Sequence, residues 1–137
     1  MAASLLASAE EIVVGWAAAQ PDLAALHGGR VSTEIPDPAV WPLIRVSRVG
    51  GTLSQAWEDS PLIQLECWGG DRPAGELDAD KLARTVLATY RQLIGTHTTS
   101  DTTSVVTGVD VSSGPTSSPD PETGRPRYLI DLLLTLT

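Results

Sequence analysis

Two histidines are the first side chains to consider for chemistry, because histidine gains and loses a proton near neutral pH. His27 precedes a glycine pair and His97 stands among threonines, so both fall in predicted connections. We expect both to be solvent-exposed loop residues without an acid–base partner nearby. An enzyme whose site uses His97, Asp101 and Asp110 is a remote alternative, since a site is decided by geometry that one sequence does not supply.

Acidic residues near the end of the chain are candidate cation ligands. Asp120, Glu122 and Asp131 carry carboxylates, but the segment lacks the alternating oxygen ligands and central glycine of a calcium loop. Asp120 and Thr123 fit another role, because such side chains hydrogen-bond their own backbone in turns. The sequence therefore predicts a stabilised turn here, with no metal ion and no cofactor.

The single cysteine and two glycine pairs have structural interpretations. Cys67 alternates with Ile63 and Leu65, which predicts an inward-pointing thiol in a strand and not an exposed nucleophile. The pairs at 50–51 and 69–70 precede no helix with the lysine spacing of a phosphate-binding loop. We expect both glycine pairs to mark strand ends.

Four arginines are better candidates for recognition. Arg45, Arg48, Arg125 and Arg127 stand on or beside predicted strands. Guanidinium groups on rigid elements make directed contacts with carboxylates across protein interfaces. Solvated surface arginines are an equal alternative. Arg45 and Arg48 are three residues apart in a strand, so they should point to opposite faces.

Length and charge limit the function classes. A chain of 137 residues predicts one domain, 1–137. The formal net charge of −8 repels nucleic acid and disfavours stable DNA or RNA binding. One cysteine excludes an intramolecular disulfide, and the start of the chain has neither a basic segment nor a long apolar run. We expect no signal peptide, no membrane role and synthesis inside the cell.

Hydrophobic periodicity predicts the helices that position these residues. Apolar residues at helical spacing indicate an amphipathic helix over 5–19, followed by a short turn over 22–26. A second helix is predicted over 78–94, with Asp78 or Asp80 as N-cap and Gly95 as the stop.

Alternating patterns predict the strands over residues 30–35, 43–49, 61–68, 105–111 and 128–137. In the fourth strand one face carries residues 105, 107, 109 and 111. In the last strand one face carries residues 128, 130, 132, 134 and 136. The predicted fold class is α+β, with a single mixed or antiparallel sheet of about five strands and two α-helices packed on one face. The last two strands should form a hairpin with a long, turn-rich loop over 114–127.

Three segments carry a family resemblance: RVSTEIP at 30–36, SPLIQLECWG at 60–69 leading into the 78–94 helix, and GPTSSPDPETGRPRY at 114–128. As an ensemble the chain resembles the tail terminator proteins of long-tailed bacteriophages, especially those that infect actinobacteria. The resemblance implies an α+β subunit without catalytic activity. Such subunits form a hexameric ring on the head-proximal end of the tail tube, stop further tube addition and present a surface for the head.

The resemblance also implies partners and a location. The partners are other copies of the chain, the tail tube protein and a head-completion or connector protein, while DNA passes through the bore without specific binding. The location is the virion tail, after assembly in the host cytoplasm. The loop over 112–127 is expected to contact the adjacent subunit or the tube end, with Arg45, Arg48, Asp120, Glu122, Arg125 and Arg127 as interface residues. A sheet whose terminal strand runs to the end of the chain would offer edge groups or loop arms to a neighbouring subunit.

Two alternatives to the terminator function remain open. A head-completion or connector subunit would bind the portal complex instead of the tube end. A non-viral adaptor would bind partners through its sheet edge.

Overall fold

The computed structural model describes residues 5–55 and 57–137, so the first four residues of the amino-terminal segment discussed above lie outside it. The helices are α1 (Ala9–Ala19), α2 (Pro21–His27) and α3 (Ala74–Thr89), and a 3₁₀ turn, Tyr90–Leu93, follows α3. The strands are β1 (Val31–Ser32), β2 (Leu43–Gln55), β3 (Glu58–Trp68), β4 (Gly95–Thr98), β5 (Thr103–Ser117) and β6 (Arg127–Leu136). The predicted α+β class is confirmed, with one more strand and one more helix than expected.

All strands belong to one mixed sheet in the order β1-β2-β3-β6-β5-β4. Among the strand pairs of the described residues, only β1–β2 is parallel. The predicted hairpin of the last two strands is confirmed. β6 lies between β3 and β5 and is antiparallel to both, with Ile130, Leu132 and Leu134 fully buried in the core.

The helices cover one face of the sheet, as predicted. α1 packs on the first three strands, and α3 packs on the central pair β3 and β6. Between the layers lies an aliphatic core, in which each fully buried Leu or Ile contributes about 1.5–3 kcal/mol of transfer free energy. Members of this core include Ile12, Val13, Ile44, Val46, Ile63, Leu65, Leu82, Val86, Ile130, Leu132 and Leu134.

α1 begins at Ala9, later than predicted, because Ser8 is its N-cap and accepts a hydrogen bond from the Glu11 N–H at 3.3 Å. Two acidic side chains of its first turn then bind the sheet. The Glu10 carboxylate accepts from the Arg48 N–H in β2, and the Glu11 carboxylate accepts from the Ser100 N–H in the β4–β5 turn, both at 3.1 Å. The start of α1 therefore ties opposite sides of the sheet together.

β2 continues six residues beyond its predicted end, through the glycine pair that was expected to stop it. A register shift between Arg48 and Gly50 accommodates the pair inside the strand. Gly51 has φ +104°, and a Cβ there would overlap the backbone of Ser60 and Pro61 in β3. Glycine is required at this position because the two strands approach too closely for a side chain.

α3 begins at Ala74, so the prediction that Asp78 or Asp80 caps it is wrong. The N-cap is Pro73, whose side chain cannot accept a capping hydrogen bond, and the Gly75 N–H donates to the Asp71 carbonyl at 2.9 Å. Backbone contact between Gly75 and the glycines at 69–70, which end β3 as predicted, leaves no room for a Cβ. This close approach lets α3 start directly beside the end of β3.

Two elements in predicted connections form regular structure. α2 uses Pro21 at its first position, and the Gln20 side chain accepts from the Leu23 N–H at 2.9 Å. β4 pairs with the start of β5. Conversely, the predicted strand over 30–35 shrinks to Val31–Ser32, because the prolines at 36 and 38 follow it and only two residues pair with β2.

The predicted faces are correct for β6 and partly wrong for β5. A register shift between Val106 and Gly108 moves the first part of β5 by one residue. Val106 is therefore buried, whereas Val105 and Thr107 are exposed; Val109 lies inward as predicted. Since side chains alternate with a period of two, one extra residue reverses the faces upstream of it.

Candidate protein interface

A carboxylate lies at the centre of a cluster on the sheet face away from the helices. Glu66 alternates with the core residues of β3 and therefore points to the open face. Its carboxylate accepts from Arg45 Nη1 at 2.7 Å and from Trp68 Nε1 at 3.1 Å, and Arg127 Nη1 lies 3.6 Å away. The Glu66 side chain is only 5% exposed. Two guanidinium groups compensate the charge of this carboxylate.

Stacked aromatic and guanidinium groups extend the cluster. The Arg127 guanidinium lies 5.0 Å from the Trp68 ring centre, and the Trp41 and Trp68 ring centres are 5.5 Å apart. The Arg125 guanidinium lies 4.3 Å from the Trp41 ring centre. Such cation–π contacts contribute roughly 0.5–2 kcal/mol each. We call these six residues, Trp41, Arg45, Glu66, Trp68, Arg125 and Arg127, the tryptophan–arginine platform.

The β5–β6 loop, residues 118–126, is fixed to this platform. Arg127 Nε donates to the Ser118 carbonyl at 2.8 Å, and the Gly69 N–H donates to the Pro126 carbonyl at 2.9 Å. Arg72 Nε donates to the Gly124 carbonyl at 3.2 Å. The loop is shorter than the predicted 114–127, because β5 runs to Ser117. These hydrogen bonds fix the loop against the platform, so the loop is not an extended arm.

The predicted turn around Asp120 is confirmed. Asp120 Oδ2 accepts from the Thr123 hydroxyl at 2.6 Å and from the Thr123 N–H at 3.2 Å. The hydrogen bond from the Thr123 side chain lowers the pKa of Asp120. Thr123 Oγ1 also accepts from the Arg125 N–H at 3.2 Å. Glu122 lies exposed in the same turn.

The second strand arginine lies apart from the platform. Arg45 is in register with Glu66 and Arg48 with Ile63, so the two point to opposite faces, as predicted. Arg48 donates to both Asp59 oxygens, at 2.6 and 2.8 Å, and this hydrogen bonding raises the Arg48 pKa. Of the six predicted interface residues, the structure gathers five at one end of the sheet and places Arg48 elsewhere.

Neither histidine is the exposed loop residue that was predicted. His27 ends α2 and is fully buried, since its Nε2–H donates to the Ala17 carbonyl and its Nδ1 accepts from the Gly29 N–H, both at 2.9 Å. His97 lies in β4, half-buried, and its Nε2–H donates to the Leu93 carbonyl at 2.6 Å.

The structure does not gather the three residues of the remote enzyme alternative. His97 pairs with Ser104, and Asp110 lies six residues further along β5, which corresponds to roughly 20 Å. Asp101 lies in the β4–β5 turn, where it accepts from the Thr99 hydroxyl at 3.4 Å.

The predicted burial of Cys67 is confirmed. The thiol is completely buried, and loss of hydration together with the nearby Glu66 charge raises its pKa to about 12. Almost no thiolate exists at neutral pH, so this sulfur is not a nucleophile in the folded protein.

An apolar surface at the other end of the sheet was not among the sequence predictions. Trp57, in the β2–β3 turn, is 65% exposed, and Leu5 and Leu53 are exposed as well. Leu5 and Trp57 help line a cleft of about 280 Å³ next to Thr137. A tryptophan in an otherwise polar link between two strands was the signal for this surface.

Within residues 5–55 and 57–137, no three His, Cys, Asp or Glu side chains are grouped so that they could hold a metal ion. None of the helices in those ranges combines the length and the apolar character that a bilayer crossing requires. No protein-family model matches the chain, and comparison with curated proteins likewise gives no match.

Proposed function

We propose that this protein is a phage tail terminator. In this proposal, six copies form a ring on the head-proximal end of the tail tube in the virion. The ring stops tube polymerisation and offers the surface to which a head-completion or connector protein binds. The role is structural and not enzymatic.

The observation that carries the proposal is the convergence of the three segments that resemble the terminator family. Arg45 Nε donates to the Thr33 carbonyl of the first segment at 3.2 Å and Arg45 Nη1 binds Glu66 of the second. Arg127 of the third segment approaches the same carboxylate. Segments far apart in sequence thus build one interlocked surface, which supports a role for them as a single docking platform.

Contacts within the platform support two different roles for the predicted interface residues: fixing the loop and contacting the neighbouring protein. The Arg125 and Arg127 side chains are only 21% and 19% exposed, and both are occupied by contacts within the chain. We infer that they position the loop over 118–126, while exposed groups such as Glu122 contact the neighbouring protein. A rigid loop loses little conformational entropy on binding, which favours a specific contact.

The charge of the chain fits a ring around DNA. With a formal net charge of −8 per copy, a ring presents an acidic wall that repels phosphate groups. DNA would therefore slide through such a bore without being retained.

The test is a tube-capping assay with purified tail tube protein. Added at the start of tube growth, the wild-type protein should shorten and equalise the tubes seen by electron microscopy. The double variant Arg125→Ala/Arg127→Ala should lose this effect, whereas Arg84→Ala, which removes an exposed pair with Asp80 on α3, should retain it. Tubes of unchanged length with the wild-type protein would contradict the proposal.

A complementary test uses phage that lack the gene. Tails should then be irregular in length and unattached to filled heads. If the wild-type protein is instead found on isolated heads and absent from isolated tails, it is a head-completion protein.

A further inference from the structure

Both outer strands of the sheet are only partly covered. β1 pairs with β2 only at Ile44 and Arg45, and β4 pairs with β5 only over 103–106. Among the described residues, no strand lies beside the outer edge of 46–55 in β2 or of 107–117 in β5. Unpaired strand edges of this length invite pairing with another chain.

The two edges have compatible directions. β2, β3, β6 and β5 follow one another in the sheet, and each pair is antiparallel, so β2 and β5 run in opposite directions. In a ring whose axis runs along the strands, the β5 edge of one copy meets the β2 edge of the next. These two strands would then be antiparallel, the arrangement with the better hydrogen-bond geometry.

The free parts of both edges also lie at matching heights. Ser47 is in register with Gln64, which pairs with Asp131 and through it with Ser113. Two rungs further, Gly50 leads through Leu62 and Leu133 to Asp110. Rotation about an axis along the strands preserves height, so Ser113 of one copy would meet Ser47 of the next, and Asp110 would meet Gly50.

Register shifts limit the length of such a contact. They interrupt β2 between Arg48 and Gly50, and β5 between Val106 and Gly108 and again after Val111. Bulges of this kind bend an edge and restrict indiscriminate pairing. The Arg48 N–H is already bonded to Glu10. The two edges can therefore form only a short run of backbone hydrogen bonds around the matched positions.

We propose that the β5 edge of one copy pairs antiparallel with the β2 edge of the next, with Ser113 opposite Ser47. The inference rests on the proposed function, because the ring supplies the second copy. The two edges are different surfaces, so the contact is head-to-tail. Copies joined by this contact form a closed assembly only when they complete a ring.

Disulfide trapping tests this contact in the double variant Ser47→Cys/Ser113→Cys. Opposed cysteines on neighbouring strands have Cα atoms about 5.5 Å apart, within disulfide range. Cys67 is buried with a pKa of about 12 and does not compete. The matched control is Thr52→Cys/Thr116→Cys, with both sites exposed on the same face but about six rungs apart, roughly 20 Å. Both variants are oxidised as concentrated protein and within phage tails.

A ladder from dimer to hexamer on non-reducing gels, for the first variant and not for the control, is the expected result. Rings visible by electron microscopy without cross-links in the first variant would overturn the strand pairing and leave the terminator function intact. Equal ladders in both variants would also overturn it, since they indicate random collision. If no oligomer exists in either sample, the proposed function fails and this inference fails with it.

Discussion

Replacing Glu66 by glutamine should be among the most damaging single changes on the surface of the sheet. The substitution keeps the size of the side chain but removes the charge that faces Arg45 and Arg127. Removing one partner of a buried ion pair costs about 3–5 kcal/mol. The Arg45 side chain is 39% exposed, so water partly compensates it. We therefore expect a loss of about 2–3 kcal/mol.

The assay is thermal and urea unfolding followed by far-ultraviolet circular dichroism. For a domain of this size, each kcal/mol corresponds to about 3–4 °C, so Tm should fall by about 6–12 °C. The matched control is Glu76→Gln, which removes an exposed pair between the first turn of α3 and Arg72, just before the helix, and should cost less than about 0.5 kcal/mol. High salt should abolish the effect of the control and leave most of the Glu66 effect.

A double-mutant cycle separates the ion pair from general damage. Glu66→Gln combined with Arg45→Met should show a coupling of at least about 1 kcal/mol. If Glu66→Gln unfolds within about 0.5 kcal/mol of the wild type, the platform contributes no stability and the reasoning about its buried charge is wrong.

Three other changes follow from single positions. Gly51→Ala should lower the free energy of unfolding in urea by about 2–4 kcal/mol, because Gly51 has a positive φ and a Cβ there would overlap β3. Gly50→Ala, with room for a Cβ, should lower it by less than about 1 kcal/mol. Equal losses in the two variants would refute the steric argument. The Asp120 carboxyl should titrate below its ordinary pKa of 3.8 in carbon-detected NMR. Because the pKa of Asp120 is lower in the folded state, the stabilising contribution of this carboxylate is present above pH 3.8 and is lost as the pH falls through the folded pKa. Asp120→Asn should therefore reduce the loss of stability at acid pH. An Asp120 titration midpoint at or above 3.8 would contradict the turn geometry. Cys67 should not react with an aromatic disulfide reagent at pH 8 until guanidinium unfolds the chain. Rapid labelling of the native protein would contradict its burial.

The strongest periodic signals in the sequence predicted the core of the fold. β6 alternates without interruption, and every second residue from Ile130 to Leu136 is buried. The inward position of Cys67 followed from the same period. Such patterns are readable from sequence because burial of one face is a local property that repeats every second residue.

Local exceptions to periodicity explain most of the errors. The extra residue near Thr107 reverses the faces at the start of β5, and the signal that could have predicted it is Gly108 inside the strand pattern. Pro21 was interpreted as the end of a helix, although proline is favourable at the first position of the next one. His27 is buried because α2 carries it under α1, which a residue-by-residue reading does not show.

The platform was only half predictable. The arginines were identified as candidates, and the turn at Asp120 followed from residue types. Glu66, however, had the pattern of an outward, hydrated carboxylate. Its burial depends on Arg45, Arg127 and Trp68, which reach it through the sheet register and through a loop that folds back. Such long-range contacts leave no signal in a single sequence.

The central position of β6 has a consequence for synthesis on the ribosome. Of the six strands, β6 is translated last, yet β3 and β5 are both hydrogen-bonded to it. Until Leu136 has left the exit tunnel, the nascent chain holds two separate strand pairs, β2 with β3 and β4 with β5. The edges of β3 and β5 that later pair with β6 are unpaired during this time. The central part of the sheet should therefore form only after β6 has emerged, and chaperones that shield apolar strands should be needed most before that point.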